Sequence, residues 1–223
     1  AAEPNLKLIL NTRVNAAETE RGRIAAVIGQ DVRSGRRFRY AGRWFVDSTG
    51  DGNLGFLAGA DYRYGRESRA ETGEELAPEK ADRLVMGTSV QWYSREADEP
   101  SAFPETPWAI AFTAQNYQKA FGGEWNWETG FSWDQINDFE KVRDNGLRAV
   151  FGNWSFQKNR APDKERYAKR ELAWVAYVGG KRESRRLLGD VILKQQDVVG
   201  RVAYPDASVT TTWTIDLHYP TVE

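Results

Sequence analysis

The sequence contains no cysteine, which removes disulfides, thiolate metal sites and cysteine nucleophiles from consideration. Histidine is nearly absent too: His218 is the only one, so a multi-histidine metal centre is excluded and no metal site is expected. An excess of charge of either sign is also missing, with 31 Lys and Arg against 32 Asp and Glu. That balance gives no electrostatic footprint for nucleic acid. No apolar run approaches the ~20 residues that a bilayer-spanning helix needs, and a soluble chain is expected. What is present is 223 residues, enough for one large or two small domains, and nine tryptophans, several of them close together.

The stretch RWFVDSTGDGNLGFLAGA at 43–60 organises the chain. Residues of strand character from Trp44 to Asp47 lead into a turn at Gly50 and Gly52, and a small-residue segment continues as a helix. Gly50, Gly52 and Gly55 satisfy G-x-G-x-x-G, the spacing of a dinucleotide fingerprint. In that fingerprint an apolar strand runs straight into the first glycine, and bare amides meet a pyrophosphate. Here Asp47, Ser48 and Thr49 intervene, and Asp51 places a negative charge inside the turn. A tight strand-to-helix turn explains the same glycines.

Upstream, apolar runs at 6–15 and 24–32, the SGRR turn at 34–37, residues 38–40 and the run at 43–48 read as a small antiparallel meander. Residues 66–82 are charged and read as a loop with some helix. The β-rich run at 84–93 reads as a strand, 94–107 with Pro100, Pro104 and Pro107 as an exposed connection, and 108–113 as a short strand. A helical pattern runs through Ile136, Phe139, Val142, Leu147 and Val150, with Asp134 or Ser132 as its cap and Gly146 as a weak interior point. An apolar run at 172–178, one helical turn at 194–199 and a β-rich run at 207–217 complete the chain. The expected class is α+β, with a meander and nucleotide-site part at 1–65 and a substrate-side sheet-and-helix region at 66–223.

Three clusters can carry chemistry. Arg182, Arg185 and Arg186 in GGKRESRRLLGD form either a salt-bridged surface with Glu183 and Asp190 or a cationic site. Trp125, Trp127 and Trp133 are either core residues or an aromatic platform on which Glu128 accepts hydrogen bonds from hydroxyls. His218 is the only side chain of a type whose unperturbed pKa lies near neutrality, which suits a general base, although a structural role is equally open.

The segment VDSTGDGNLGFLAGADYRYGRES resembles the internal D-[AS]-T-G-D-G…A-G-A…G-R-E segment of an FAD-dependent oxidoreductase family found widely in bacteria. Some members of that family carry xanthan-lyase-related names. Further clusters resemble it in the same order. EWNWETG is similar to its W-W-x-E-x-G segment, with Asn126 interrupting the aromatic pair. FGNWSFQKN is similar to its G-x-W-[DS]-x-x-K-N helix end, and GKRESRR, followed by D-L-H at 216–218, to its G-[KR]-R-E-S-R-R segment. The resemblance implies FAD as cofactor, bordered by Thr49, Gly50, Asp51 and Gly52. It implies Arg182, Arg185 and His218 as catalytic residues converging near the flavin, and Trp125, Trp127 and Glu128 facing a small-molecule or sugar-like substrate. The family's Gly-rich pyrophosphate loop and its late C-terminal segment have no counterpart in the sequence. The chain is therefore expected to be the middle of such an enzyme, with the missing segments as its partners, and to be inactive and without FAD by itself. The competing expectation is a Trp-rich carbohydrate-binding or assembly module without catalysis.

Overall fold

The computed structural model describes residues 3–207 together with Thr210 and Ile215. In chain order its elements are β1 (Thr12–Glu20), β2 (Arg23–Asp31), β3 (Arg37–Ala41), α1 (Asn53–Leu57), β4 (Tyr62–Arg63), α2 (Arg69–Thr72), β5 (Trp92–Glu96), β6 (Gly122–Gly123), α3 (Phe139–Asn159), a 3-10 turn (Lys164–Tyr167), β7 (Arg170–Val175), β8 (Arg186–Leu187) and α4 (Gln195–Val199). The class is α+β, with antiparallel pairing throughout the three sheets of the described residues. Two compact units form, one from the residues up to Tyr64 with Arg185–Val198, the other from Gly65–Ser184 with the described residues from Val199 on.

In the first unit β1, β2 and β3 are an antiparallel meander in sequential order. The β1–β2 hairpin turns through Arg21 and Gly22, both at positive φ (51° and 75°), a geometry that matches the twist of the flanking strands. The central strand carries the buried Ala26 and Val27. Past β2, Asp31 accepts hydrogen bonds from the amides of Arg33 (2.9 Å) and Ser34 (2.7 Å) and closes the turn into β3.

Two expected strands do not form as read. The 6–15 run pairs only from Thr12, while Leu6, Leu8 and Leu10 stand exposed. The 43–48 run has no ladder partner among the described residues, and its Trp44 and Val46 are exposed. Strand propensity needs a neighbour before it becomes a strand. The short pair of β4 with β8, Tyr62 opposite Leu187 and Arg63 opposite Arg186, returns residues 185–187 to this unit.

In the second unit β6, β5 and β7 form a sheet. Val90, Trp92, Val150, Trp154, Tyr167 and Ala176 make one core cluster between sheet and α3. The 84–93 reading is displaced, because Thr88 and Ser89 make only isolated bridges, to Thr129 and Gly180, and β5 begins at Trp92. No strand forms at 108–113.

The helix α3 is longer than the apolar pattern indicates because its last turns bury polar groups. Asn153 accepts from the Gln118 amide (2.8 Å) and donates to the Gln118 carbonyl (3.1 Å). Gln157 donates to the carbonyls of Gln118 (2.9 Å) and Ala120 (3.0 Å). Ser155 donates to Pro104 O (3.1 Å) and Asn159 to Phe103 O (3.2 Å). Lys158 places its ammonium among Ser101 Oγ (3.0 Å) and the carbonyls of Tyr167 (2.7 Å), Ala168 (3.0 Å) and Arg170 (2.9 Å). Asp134 does not cap this helix. Its carboxylate accepts from the amides of Ile136 and Asn137, both at 2.9 Å, and closes the turn before α3. The 207–217 run lies outside the described residues except at 207, 210 and 215.

Candidate functional site

The D-S-T-G-D-G turn is built around the Asp47 carboxylate. One oxygen accepts from the Thr49 amide (3.0 Å) and hydroxyl (2.7 Å), and the other from the Gly55 amide at the start of α1 (3.0 Å). Thr49 Oγ1 in turn accepts from the Asn53 amide (2.9 Å). Partial burial pushes the Asp47 carboxyl up, but the hydrogen bonds from Thr49 and from the Gly55 and Leu54 amides outweigh it and hold the group below its ordinary value.

A carboxyl with a lowered folded pKa stabilises the fold fully above the unfolded value, and that contribution is lost as pH falls through the folded value. Asp47→Ala should therefore cost about 1 kcal/mol near neutrality. The gap to the unsubstituted chain should close as pH drops below about 4. Urea unfolding of both proteins across that range checks it, and a gap independent of pH would refute it.

The glycines of this turn have different duties. Gly50 has a φ of 79°, and a Cβ there would meet nothing within 4 Å. Gly52 is left-handed at φ 60° and ψ 37°. A Cβ at Gly52 would lie 2.9 Å from Leu187 Cγ, and one at Gly55 2.4 Å from Leu187 Cδ1. The second and third glycines are therefore packing contacts to β8, and only the first has an open face. Because α1 has five residues, its dipole is slight compared with that of the long helix in a pyrophosphate-binding fingerprint. Arg185 braces the same turn: its Nε donates to Asp51 O (3.0 Å), its NH2 to Asn53 Oδ1 (2.5 Å), and the guanidinium lies 4.1 Å from the Phe56 ring centroid.

In the second unit the loop after β6 carries Trp125, Trp127 and Glu128. It is fixed at one end by pairing of Gly122 and Gly123 with β5, and at the other by reciprocal amide–carbonyl bonds of Thr129 with Thr88 (2.9 and 3.0 Å). In an extended segment residues two apart share a side. Trp127 breaks that rule with φ at 51°, a strained value for a bulky residue. Trp125 is consequently 56% exposed, whereas Trp127 stacks on Trp92 (centroids 6.0 Å, 22°) and packs against the core. Glu128 accepts from Arg182 NH1; the two side chains are only 8% and 19% exposed. The Arg182 guanidinium also sits 5.1 Å from the Trp125 ring centroid. The structure thus joins Trp125, Glu128 and Arg182 and turns Trp127 inward. Arg185 belongs to the other unit, and His218 lies outside the described residues.

The family described as FAD dependent oxidoreductase matches residues 1–223. The chain belongs to the FAD-dependent oxidoreductase family. No curated protein matches it, and no solved structure does. FAD fits the D-S-T-G-D-G turn of this family member at one edge: the unencumbered side of Gly50 admits close backbone approach, and the neighbouring Thr49 is exposed. Gly52 lies against Leu187 instead. Among the described residues no helix is long and apolar enough to cross a membrane, and no three His, Asp or Glu side chains gather as metal ligands would.

Sequence reasoning missed three features. Asp47 organises the turn, Leu187 closes its back, and the FGNWSFQKN segment serves as a clamp on residues 101–120. The alternation of buried polar residues with Gly152 and Trp154 was the only available signal for the clamp.

Proposed function

We propose that this chain is the middle portion of a longer flavoenzyme that oxidises a hydroxyl- or amine-bearing small molecule, carbohydrate-like in class. The open face of Gly50 in a turn otherwise fully tied down supports this reading most directly. Thr49, Gly50 and Asp51 border the dinucleotide, and Gly52 shapes the turn. FAD, when bound, supplies the hydride acceptor. Arg182, paired with Glu128, lies on the substrate side beside Trp125, and neutral His218 takes the hydroxyl proton as the hydride leaves its carbon. Trp125 offers an exposed ring to a sugar face, with Glu128 and Arg182 beside it.

The deciding experiment uses the intact parent. His218→Ala should slow flavin reduction by roughly 100-fold with bound flavin unchanged. A reduction rate near that of the unsubstituted enzyme would make His218 structural.

The chain alone should not hold FAD tightly, since one edge of a dinucleotide site offers few of the oriented amides such sites require. Submicromolar quenching of flavin fluorescence by the purified chain would overturn that expectation. The exposed Trp125 also favours a second reading, a carbohydrate-binding module without chemistry. Absence of flavin absorbance from the purified parent would favour it.

A further inference from the structure

We propose that Arg185, backed by Leu187, is a positioning residue that fixes the backbone of residues 51–53 so that the Gly50 amide is presented to the dinucleotide. The proposal rests on the reading of this turn as a cofactor edge. Its physical basis is a division of the turn into a closed back and an open front.

The back is closed by one short segment, more than 130 positions away in sequence, which β8 returns to the turn. Arg185 bonds Asp51 O (3.0 Å) and Asn53 Oδ1 (2.5 Å), points that flank Gly52 on either side. A planar guanidinium fork holds two such acceptors at a fixed separation, which a lysine ammonium cannot do. The fork is itself held by the rings of Phe56 (4.1 Å) and Tyr62 (5.8 Å). Two residues on, Leu187 occupies the space over Gly52 and Gly55 and is anchored by its pairing with Tyr62 and by the Leu188 amide bond to Asp61 O (2.9 Å).

The front is different. Gly50 has no atom over its Cβ position, and its amide has no acceptor among the described residues. A glycine at positive φ does not fix its own peptide orientation. That orientation is set by neighbours tied down on both sides, Thr49 through Asp47 and residues 51–53 through Arg185.

The test compares the isotopically labelled chain with its Arg185→Met and Arg185→Lys variants by NMR. In both variants exchange of the Asn53 amide should accelerate by about tenfold, and the Asp47 carboxyl should titrate higher, while the core amides of α3 keep their protection. Unchanged Asn53 exchange and Asp47 titration in Arg185→Met would overturn the proposal. So would an Arg185→Lys variant that behaves like the unsubstituted chain, since charge alone would then suffice. If Arg185→Met fails to fold, Asn53→Ala removes one partner of the fork and should shift the Asp47 titration in the same direction; no shift there overturns the proposal.

FAD in excess supplies the second arm. Movement of the Gly50 amide resonance in the unsubstituted chain, reduced in Arg185→Met, supports presentation to the cofactor. Equal movement in both overturns it. No movement at Gly50 in the unsubstituted chain, with Asn53 exchange altered as expected, overturns the cofactor-edge reading instead and reduces Arg185 to a brace of the turn.

Discussion

Gly152→Ala should destabilise the second unit by about 3 kcal/mol, although alanine is the better helix former by ~1 kcal/mol. A Cβ at Gly152 would lie 2.0 Å from the Ile110 carbonyl oxygen. That oxygen cannot retreat freely, because the Ile110 amide donates to Arg148 O (3.2 Å) and Arg148 Nε donates to Trp108 O (3.3 Å). The helix and the loop are thus tied together just where the methyl would enter. Gly146 in the same helix provides the control. Its added Cβ would meet Val90 Cγ2 at 2.6 Å, a methyl of a core side chain and not the main chain, so Gly146→Ala should cost less, about 1 kcal/mol. Urea unfolding followed by tryptophan fluorescence separates the two, and equal effects would show that the Gly152 approach is not restrictive.

Glu128→Ala should lower stability by about 3 kcal/mol, because it removes a carboxylate from beside a guanidinium that is largely withdrawn from water. Glu128→Gln keeps the shape and an acceptor and should cost less. A double-mutant cycle with Arg182→Met isolates the pair, and its coupling should exceed 1 kcal/mol, in the range measured for directly contacting groups. If Glu128 served only a ligand, Glu128→Ala would leave the melting transition in place. A loss of stability would mean that the pair is a built feature of the loop, against which a substrate hydroxyl must compete.

The meander strands were legible because β2 and β3 combine β-branched and aromatic residues with clear turn chemistry around Asp31 and Gly35. The D-S-T-G-D-G turn was legible as a turn, and its first residue, Asp47, proved to be its organiser. The 43–48 strand was not, since Trp44 and Val46 have the propensity but no neighbour among the described residues. The opposite orientations of Trp125 and Trp127 depend on one positive φ at a residue that rarely adopts it, and no composition rule reports that. Arg185 read as a charge for a cofactor, whereas its geometry engages Asp51 and Asn53, a pairing across the fold that local pattern cannot supply. The second half of α3 carries no clear amphipathic stripe because the polar Asn153, Ser155 and Gln157 are buried alongside Val150, Trp154 and Phe156. The apolar pattern therefore stops at Val150, and only the likeness of FGNWSFQKN to a helix end reaches Asn159.

The hold of α3 on residues 101–120 has a consequence for how this region can diverge. Asn153, Ser155, Gln157 and Asn159 engage main-chain atoms of Gln118, Pro104, Ala120 and Phe103, and Gly152 meets the main chain of Ile110. At these points the helix recognises the path of the segment, and residue identity matters where the rings of Phe103, Trp108 and Tyr117 pack on Phe151, Trp154 and Phe156. Side chains at exposed positions such as Glu105, Ala114 and Gln115 can be exchanged without altering any of these bonds. Variation in that segment can change its outward chemistry while the path of its backbone stays inherited, so that mutational tolerance and structural constancy coexist along the same twenty residues.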